Sequence, residues 1–306
     1  MFTPFDMGPH DVEGNLFNPE THRWVKTRMP YPDVIYNRIP FRDDEETGTM
    51  QNSIDKIKSL GVPYFNSGFL DKWEMFECLR KVSTIAGYLP DTKLLSRATL
   101  EKSLYSWNEL YLKPKAGQKG DGMLAVKLAA GGTLICQSHQ GINQYRSFEA
   151  FWDGHRFDFE KTPYLIQKKI HLARHNGSPY DFRLLMQKIF GTWRLTGAGA
   201  RLAGENSITT HVPKGGQLLS LDNIQPPADL NLLETICKQA AETLEKDFAP
   251  LDELSFDIGR DRNGNHWLFE ANAKPMSFDE REIETKRLDR LLDIFYEKGG
   301  FLESTP

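Results

Sequence analysis

Apolar and polar residues alternate through Leu254–Gly259, with Leu254, Phe256 and Ile258 on one face and Ser255 and Asp257 on the other. That two-residue period predicts a strand. The stretch Trp267–Asn272 repeats the pattern, with Trp267, Phe269 and Ala271 on one face and Glu270 and Asn272 on the other. Between them stands Asn263-Gly264, a strong short-range hairpin signal. A two-residue turn centred there sets Asp257 opposite Glu270 and Ile258 opposite Phe269.

The same reading gives the other elements. A loose hairpin is expected around NLFNPETHRWVK, and a short strand in PDVIYNRIP. A helix over residues 48–60 stops at Gly61, and VPYFN follows as a strand, making a small β-α-β unit. Asp71 and Glu74 have capping-box spacing for a helix with Trp73, Phe76 and Leu79 inward. Five strand-rich stretches follow: ELYLKPKAGQKGDGMLAVKL, GGTLICQS, PYLIQKKI, DFRLLMQKIF and TWRLTGAGARLA. LLETICKQAAETLEKDF reads as a helix leading into the acidic hairpin. Ser277 and Glu280 predict a capping box for a last helix, with Leu288, Leu291, Leu292 and Phe295 facing the core. The class is α+β, with antiparallel sheets and packed helices.

Two carboxylates directly opposed in a hairpin repel. A hard cation removes that cost, and Mg²⁺ is often held by one or two carboxylates plus substrate phosphates. Asp257, Glu270 and Asn272 are therefore candidate Mg²⁺ ligands for a nucleotide; the plain alternative is a solvated polar face. A bulge in the hairpin would turn one carboxylate away. Gly117, Gly120 and Gly122 crowd a short strand–loop–strand segment just after Lys113. Such glycines bring backbone N–H groups close to phosphates, although a surface hairpin would carry them equally well. The segment lacks the ending of a Walker loop and the helix of a dinucleotide fingerprint. Arg183 and Arg201 lie in apolar strand stretches and suit phosphate or acyl-phosphate oxygens, or else form salt bridges, with Asp181 a partner for Arg183.

Bulk properties narrow the classes. The 306 residues carry 38 Lys and Arg against 42 Asp and Glu, a net charge of −4, which argues against a nucleic-acid partner. Three cysteines, Cys78, Cys136 and Cys237, show no CxxC pairing, so reduced thiols of a cytoplasmic protein are expected and a zinc site is not. No apolar run is long enough for a membrane span, and the acidic N-terminus has no signal-peptide core. The eight histidines do not cluster, and neither GxSxG nor HExxH occurs.

The order of these parts resembles the ATP-grasp superfamily, and within it the YheC/YheD-type group associated with endospore coats. The phrases that carry the resemblance are PDVIYNRIP, YLPDT, YLKPKAGQKGDGM, YLIQKKI, DFRLLMQK, WRLTGAGARLA and LFEANAKP, spanning about residues 32 to 275. The resemblance implies an ATP-grasp fold, two α+β subdomains with antiparallel sheets holding ATP between them, after a short β-α-β N-terminal unit. The expected divisions are 1–68, 69–166 and 167–306. Lys113 and, more loosely, Lys72 match nucleotide lysines. Gln167, Lys168 and Ile170 match the adenine hinge. Asp257, Glu270 and Asn272 match the Mg²⁺ ligands, while Arg183 and Arg201 match the arginines facing the transferred phosphate. The implied activity is an ATP- and Mg²⁺-dependent carboxylate–amine ligase working through an acyl phosphate, linked to spore coat formation. Its partners would be small-molecule or peptide carboxylates and amines, with coat proteins, in the cytoplasm or on the spore. The alternatives are a non-catalytic ATP-binding or structural coat-associated protein, and a phosphotransferase. Two departures stand out: His211 in HVPKGG occupies the place of a family asparagine, and the N-terminal unit is short, with Asn37 and Arg38 as its candidate substrate contacts.

Overall fold

The computed structural model describes the chain except residues 118–119, 205–206, 209, 211–214, 249 and 302–306. His211 lies outside the described residues.

The chain opens with a hairpin, β1 (Asp11–Asn18) and β2 (Arg23–Pro30), around the expected NLFNPETHRWVK turn. β3 (Ile35–Tyr36), α1 (Arg42–Glu45), α2 (Gly48–Ser59) and β4 (Tyr64–Phe65) follow, and β3 and β4 pair in parallel, completing the β-α-β unit. PDVIYNRIP contributes only two strand residues. Asn66, at φ 54° and fully buried, fastens this unit to the rest. Its Oδ1 accepts from the backbone N–H of Asp252 and Glu253 at 3.0 and 3.2 Å, and its Nδ2 donates to the carbonyls of Glu253 and Ala273.

α3 (Lys72–Leu79) starts at Asp71, whose carboxylate accepts from Trp73 and Glu74 N–H at 2.9 and 3.0 Å. α4 (Ser83–Ala86), β5 (Thr92–Leu94), α5 (Arg97–Trp107), β6 (Glu109–Pro114), β7 (Leu124–Leu128), β8 (Leu134–Ser138), β9 (Gly141–Tyr145), α6 (Phe148–Lys161) and β10 (Tyr164–Lys168) come next. Their strands form one sheet in the order β5-β10-β6-β7-β8-β9. α5 and α6 cover one face of it through Leu100, Leu104, Phe148 and Phe151. Neither helix, nor β9, was expected from the sequence pattern.

The second sheet contains β11 (Arg174–His175), β12 (Ser178–Ile189), β13 (Thr192–Leu202), β14 (Gln217–Leu219), β15 (Glu253–Arg260) and β16 (His266–Asn272), ordered β14-β13-β12-β15-β16 with β11 against β12. Along β12, Phe182, Leu184 and Met186 join the main core with α3 and with α7 (Leu230–Phe248). Leu185 on the other face packs with Phe278 and with Ile283 of α8 (Arg281–Lys298). A Cβ at Gly197 would stand 2.7 Å from Ile283, so this glycine lets α8 lie close on β13. α8 lies over the Leu185–Gln187 part of β12, whereas Asp181 at the other end opens into a cavity facing the first sheet.

Two expectations for α8 fail. Leu291 and Ile294 are buried, but Leu288 and Leu292 are half-exposed, at 51% and 54%. The inward stripe instead runs through Ile283, Arg287, Leu291 and Ile294, because Arg287 pairs with the fully buried Glu253 at 2.8 Å and sets the helix's rotation. The Ser277–Glu280 box does not form: Glu280 is itself the cap residue, and Glu284 takes the Phe278 N–H at 2.9 Å.

Candidate functional site

The acidic hairpin sets the site. Asp257 lies opposite Glu270, and Ser255 opposite Asn272. Ile258, however, faces Leu268 rather than Phe269. Two departures from the simple hairpin cancel. The connection holds three residues, Arg262–Gly264: Gly264 sits at φ 90° and its N–H reaches the Asp261 carbonyl at 3.1 Å. That is the geometry of a type I turn followed by a left-handed glycine. The Asp261 carboxylate holds it by accepting from Asn263 and Asn265 N–H at 2.8 and 2.9 Å. A bulge at Phe269 then restores the register, so that Asp257 and Glu270 meet as expected. The bulge gives Phe269 a place in the cavity wall beside Glu270. Gly259 leaves room for its ring, since a Cβ there would collide with Phe269 and Leu172.

The cavity, about 560 Å³, lies between the two sheets. Lys72, Lys113, Gly117, Gly120, Gln167, Lys168, Ile170, Asp257 and Glu270 all line it. Gly122, Arg183, Arg201 and Asn272 do not. Apolar side chains, Met75, Phe76, Leu89 and Leu165, share its lining with the charged groups, a mixture that suits a ligand with a flat base and an anionic tail.

Lys113 leaves β6 and donates to Gln167 Oε1 at 2.6 Å, with its ammonium 5.8 Å from the Phe269 ring centre. Burial pushes its pKa down to about 8; Glu270 and Asp257 pull it up, and Lys72 pushes it further down. The Gln167 amide donates to Thr92 Oγ1 at 3.1 Å. Its side chain is therefore engaged on both atoms within the protein and orients Lys113. Lys72 hydrogen-bonds the Gly117 carbonyl and lies 3.4 Å from Glu270 Oε1, tying the glycine loop to the acidic hairpin. Lys115 adds a second tie, 3.5 Å from Asp71.

Arg201 and Arg183 are both engaged within the protein. Arg201, nearly buried, grips Asp181 through two bonds of 3.0 and 2.7 Å and reaches Asp257 at 3.1 Å. Burial opposes its charge, but Asp257 and Asp181 outweigh that and hold the guanidinium protonated. Burial raises the pKa of Asp181, against the pull of Arg201, and Thr210 donates to the same carboxylate at 2.6 Å. Asp181 is thus the partner of Arg201, not of Arg183. Arg183 faces Asp257 across the strands, yet its guanidinium donates to the Met276 carbonyl at 3.1 Å and lies 4.6 Å over the Phe278 ring.

A model of the family described as YheC/D like ATP-grasp matches residues 61–297. The chain belongs to that family. Two relatives from Bacillus subtilis (strain 168) are similar to this ATP-grasp chain. Endospore coat-associated protein YheD is 31% identical over 86% of the chain and 61% of its own length. Endospore coat-associated protein YheC is 26% identical over 90% of the chain and 79% of its own length. The chain therefore spans under two thirds of YheD. Among solved structures, D-alanyl-alanine synthetase A from Vibrio cholerae O1 superposes with a TM-score of 0.57 at 11% identity, covering 95% of this chain and 84% of that one. That likeness concerns the fold, two antiparallel sheets facing one cavity.

Asp257 and Glu270, two carboxylates in register, with Asn272 two residues beyond Glu270 along the same strand, offer the hard oxygen donors that suit a magnesium ion. Among the described residues no three His, Cys, Asp or Glu side chains gather as a metal cluster, and no helix is long and apolar enough to cross a membrane.

Proposed function

We propose that this protein is an ATP- and Mg²⁺-dependent ligase that joins a carboxylate to an amine. The observation that carries the reading is the meeting of Lys72 and Lys113 with Asp257 and Glu270 in one cavity that also has an apolar wall. Two ammonium groups suit nucleotide phosphates, and two opposed carboxylates suit the ion that accompanies them.

In this reading the base lies against Met75, Phe76 and Leu89, and Lys113 and Lys72 meet the phosphates. Asp257, Glu270 and Asn272 would hold Mg²⁺, which when bound supplies charge neutralisation at phosphate oxygens. An oxygen of the substrate carboxylate attacks the γ-phosphorus, and the bond to the β-phosphate oxygen breaks, giving an acyl phosphate and ADP. The amine then attacks the acyl carbon, inorganic phosphate leaves, and the nitrogen loses a proton. The chain acts by positioning and by charge: Arg201 fixes Asp257, and the glycine loop, held by Lys72, covers the phosphates. That YheC and YheD are endospore coat-associated proteins supports a place for this activity at the spore coat.

Incubation with ATP, Mg²⁺ and a pool of amino acids and acidic peptides should yield ADP and inorganic phosphate. An ¹⁸O-labelled carboxylate should pass one label into that phosphate. A stable phosphorylated product, or AMP with pyrophosphate, would contradict the scheme.

A further inference from the structure

We propose that the acid activated here carries at least one further carboxylate, and that Arg38 and Arg42 of the N-terminal unit hold it. This rests on the ligase reading above, since it names the substrate class of the same site.

β16 ends at Asn272, and the chain continues through Ala273, Lys274, Pro275 and Met276. At about 3.3–3.6 Å per extended residue, that segment reaches no more than about 14 Å beyond the acidic hairpin. The Met276 carbonyl accepts from Arg183, which lies opposite Asp257 in the sheet, so the segment runs beside the carboxylates of the hairpin. Cations from separate parts of the chain converge on it. Arg38 donates to the Pro275 carbonyl at 2.8 Å. The Lys274 ammonium donates to the Ile39 carbonyl at 3.2 Å and lies 4.6 Å from the Phe69 ring centre. The Arg42 guanidinium stands over the same ring at 5.5 Å. Burial lowers the pKa of Lys274, Glu45 raises it, and Arg38 and Arg42 lower it.

Among the described residues the carboxylate that forms an ion pair within this group is Glu45, with Lys274. Glu45 accepts from Lys274, from Asn37 at 2.7 Å and from the Phe69 N–H at 3.1 Å. Asn37 is thereby committed to the fold. Among the described residues neither Arg38 nor Arg42 has a carboxylate within ion-pairing distance. Arg38 is exposed, and its bonds go to a carbonyl and to the Tyr36 hydroxyl. Arg42 donates from Nη2 to the Leu70 carbonyl at 2.8 Å, while its Nε is buried with no hydrogen-bond partner among the described residues. A buried donor left unpaired is costly and is usually paired by a ligand or water. A planar guanidinium fork matches a carboxylate. Phe41 and Met276, 61% and 46% exposed beside these arginines, match the methylene surface of an acidic peptide side chain.

The test uses the full chain in about 150 mM salt, with and without the non-hydrolysable analogue AMP-PNP and Mg²⁺. Binding of Glu-Glu-Glu and of Gln-Gln-Gln is measured by calorimetry, with inorganic phosphate as competitor. Glu-Glu-Glu should bind at least about tenfold more tightly. Arg38→Ala should reduce that preference several-fold, Arg38→Lys less so, and Arg38→Ala with Arg42→Ala should abolish it. AMP-PNP binding reports separately on the nucleotide reading and on folding of each variant. Should the double variant fail to fold, Arg38→Ala alone decides, because it lies on the surface. Equal binding of the two peptides, an unchanged preference in Arg38→Ala, or a site taken by phosphate alone would overturn the proposal whether or not AMP-PNP binds. Loss of AMP-PNP binding with the peptide preference intact would sink the nucleotide reading and leave the anion site standing.

Discussion

Arg201 joins Asp181 to Asp257, at 2.7 and 3.1 Å, across three neighbouring strands of the second sheet. Both carboxylates are nearly buried, so removing the guanidinium leaves two like charges without their common partner. Arg201→Met should destabilise the fold by about 3–5 kcal/mol in urea. A loss below about 1 kcal/mol would show that the cluster is well solvated after all.

Asp181→Asn keeps the shape but takes one charge from Arg201. The freed guanidinium should hold Asp257 more firmly and weaken its hold on a cation. Mg²⁺-dependent nucleotide affinity should therefore fall more than Mg²⁺-free affinity, by roughly tenfold or about 1.4 kcal/mol. Equal losses in both conditions would contradict this.

Lys113 supplies a pH dependence. Its folded pKa, about 8, lies below the ordinary lysine value of about 10.4. Its buried charge costs stability in full below pH 8, and the cost fades as pH rises towards 10.4. Lys113→Met should thus raise the melting temperature at pH 7 and lose that advantage by pH 10. ATP affinity of the wild type should decline as pH climbs through 8, because phosphate favours the ammonium. Titrations from pH 6.5 to 9.5 would detect both, and a flat profile would rule out Lys113 as a phosphate contact.

Asn66 fastens the N-terminal unit with four bonds to the backbone of β15 and of the segment after β16. Asn66→Ala leaves buried donors and acceptors unpaired, at about 1–3 kcal/mol each. A loss of at least about 2 kcal/mol is expected, with faster amide exchange in β3 and β4. An exchange rate unchanged there would mean that the apolar cluster around Phe65 holds the unit by itself.

How far the sequence could be read depended on local regularity. The small β-α-β unit, the Asp71 cap and the longer strands of both sheets followed from periodicity and punctuation, because each is decided within a few residues, whereas the short β5, β9, β11 and β14 did not. The Asp257–Glu270 opposition also came out, but only because the three-residue turn and the bulge at Phe269 offset one another. The partner of Arg201 was not legible for the same kind of reason. A hairpin turning at Phe190-Gly191 would set Asp181 opposite Ala200; the irregularity beside Leu185 and Met186 moves it opposite Arg201. Bulges leave little trace in a single sequence. α8 misled because its buried stripe includes Arg287, whose partner Glu253 lies far away in the chain. The aromatic-rich α6 carried an apolar stripe in Phe148, Phe151 and Phe159 that the pattern alone did not resolve from the strands around it.

The most direct test is the thermal stability of the wild type and of Glu270→Ala, with and without ATP and Mg²⁺. At about a hundred times its Kd, a bound ligand adds about 2.7 kcal/mol. A Mg²⁺-dependent rise of that order in the wild type, lost in Glu270→Ala, is the expected result. No rise in the wild type, or an equal rise in the variant, would contradict a metal–nucleotide site at the Asp257–Glu270 hairpin.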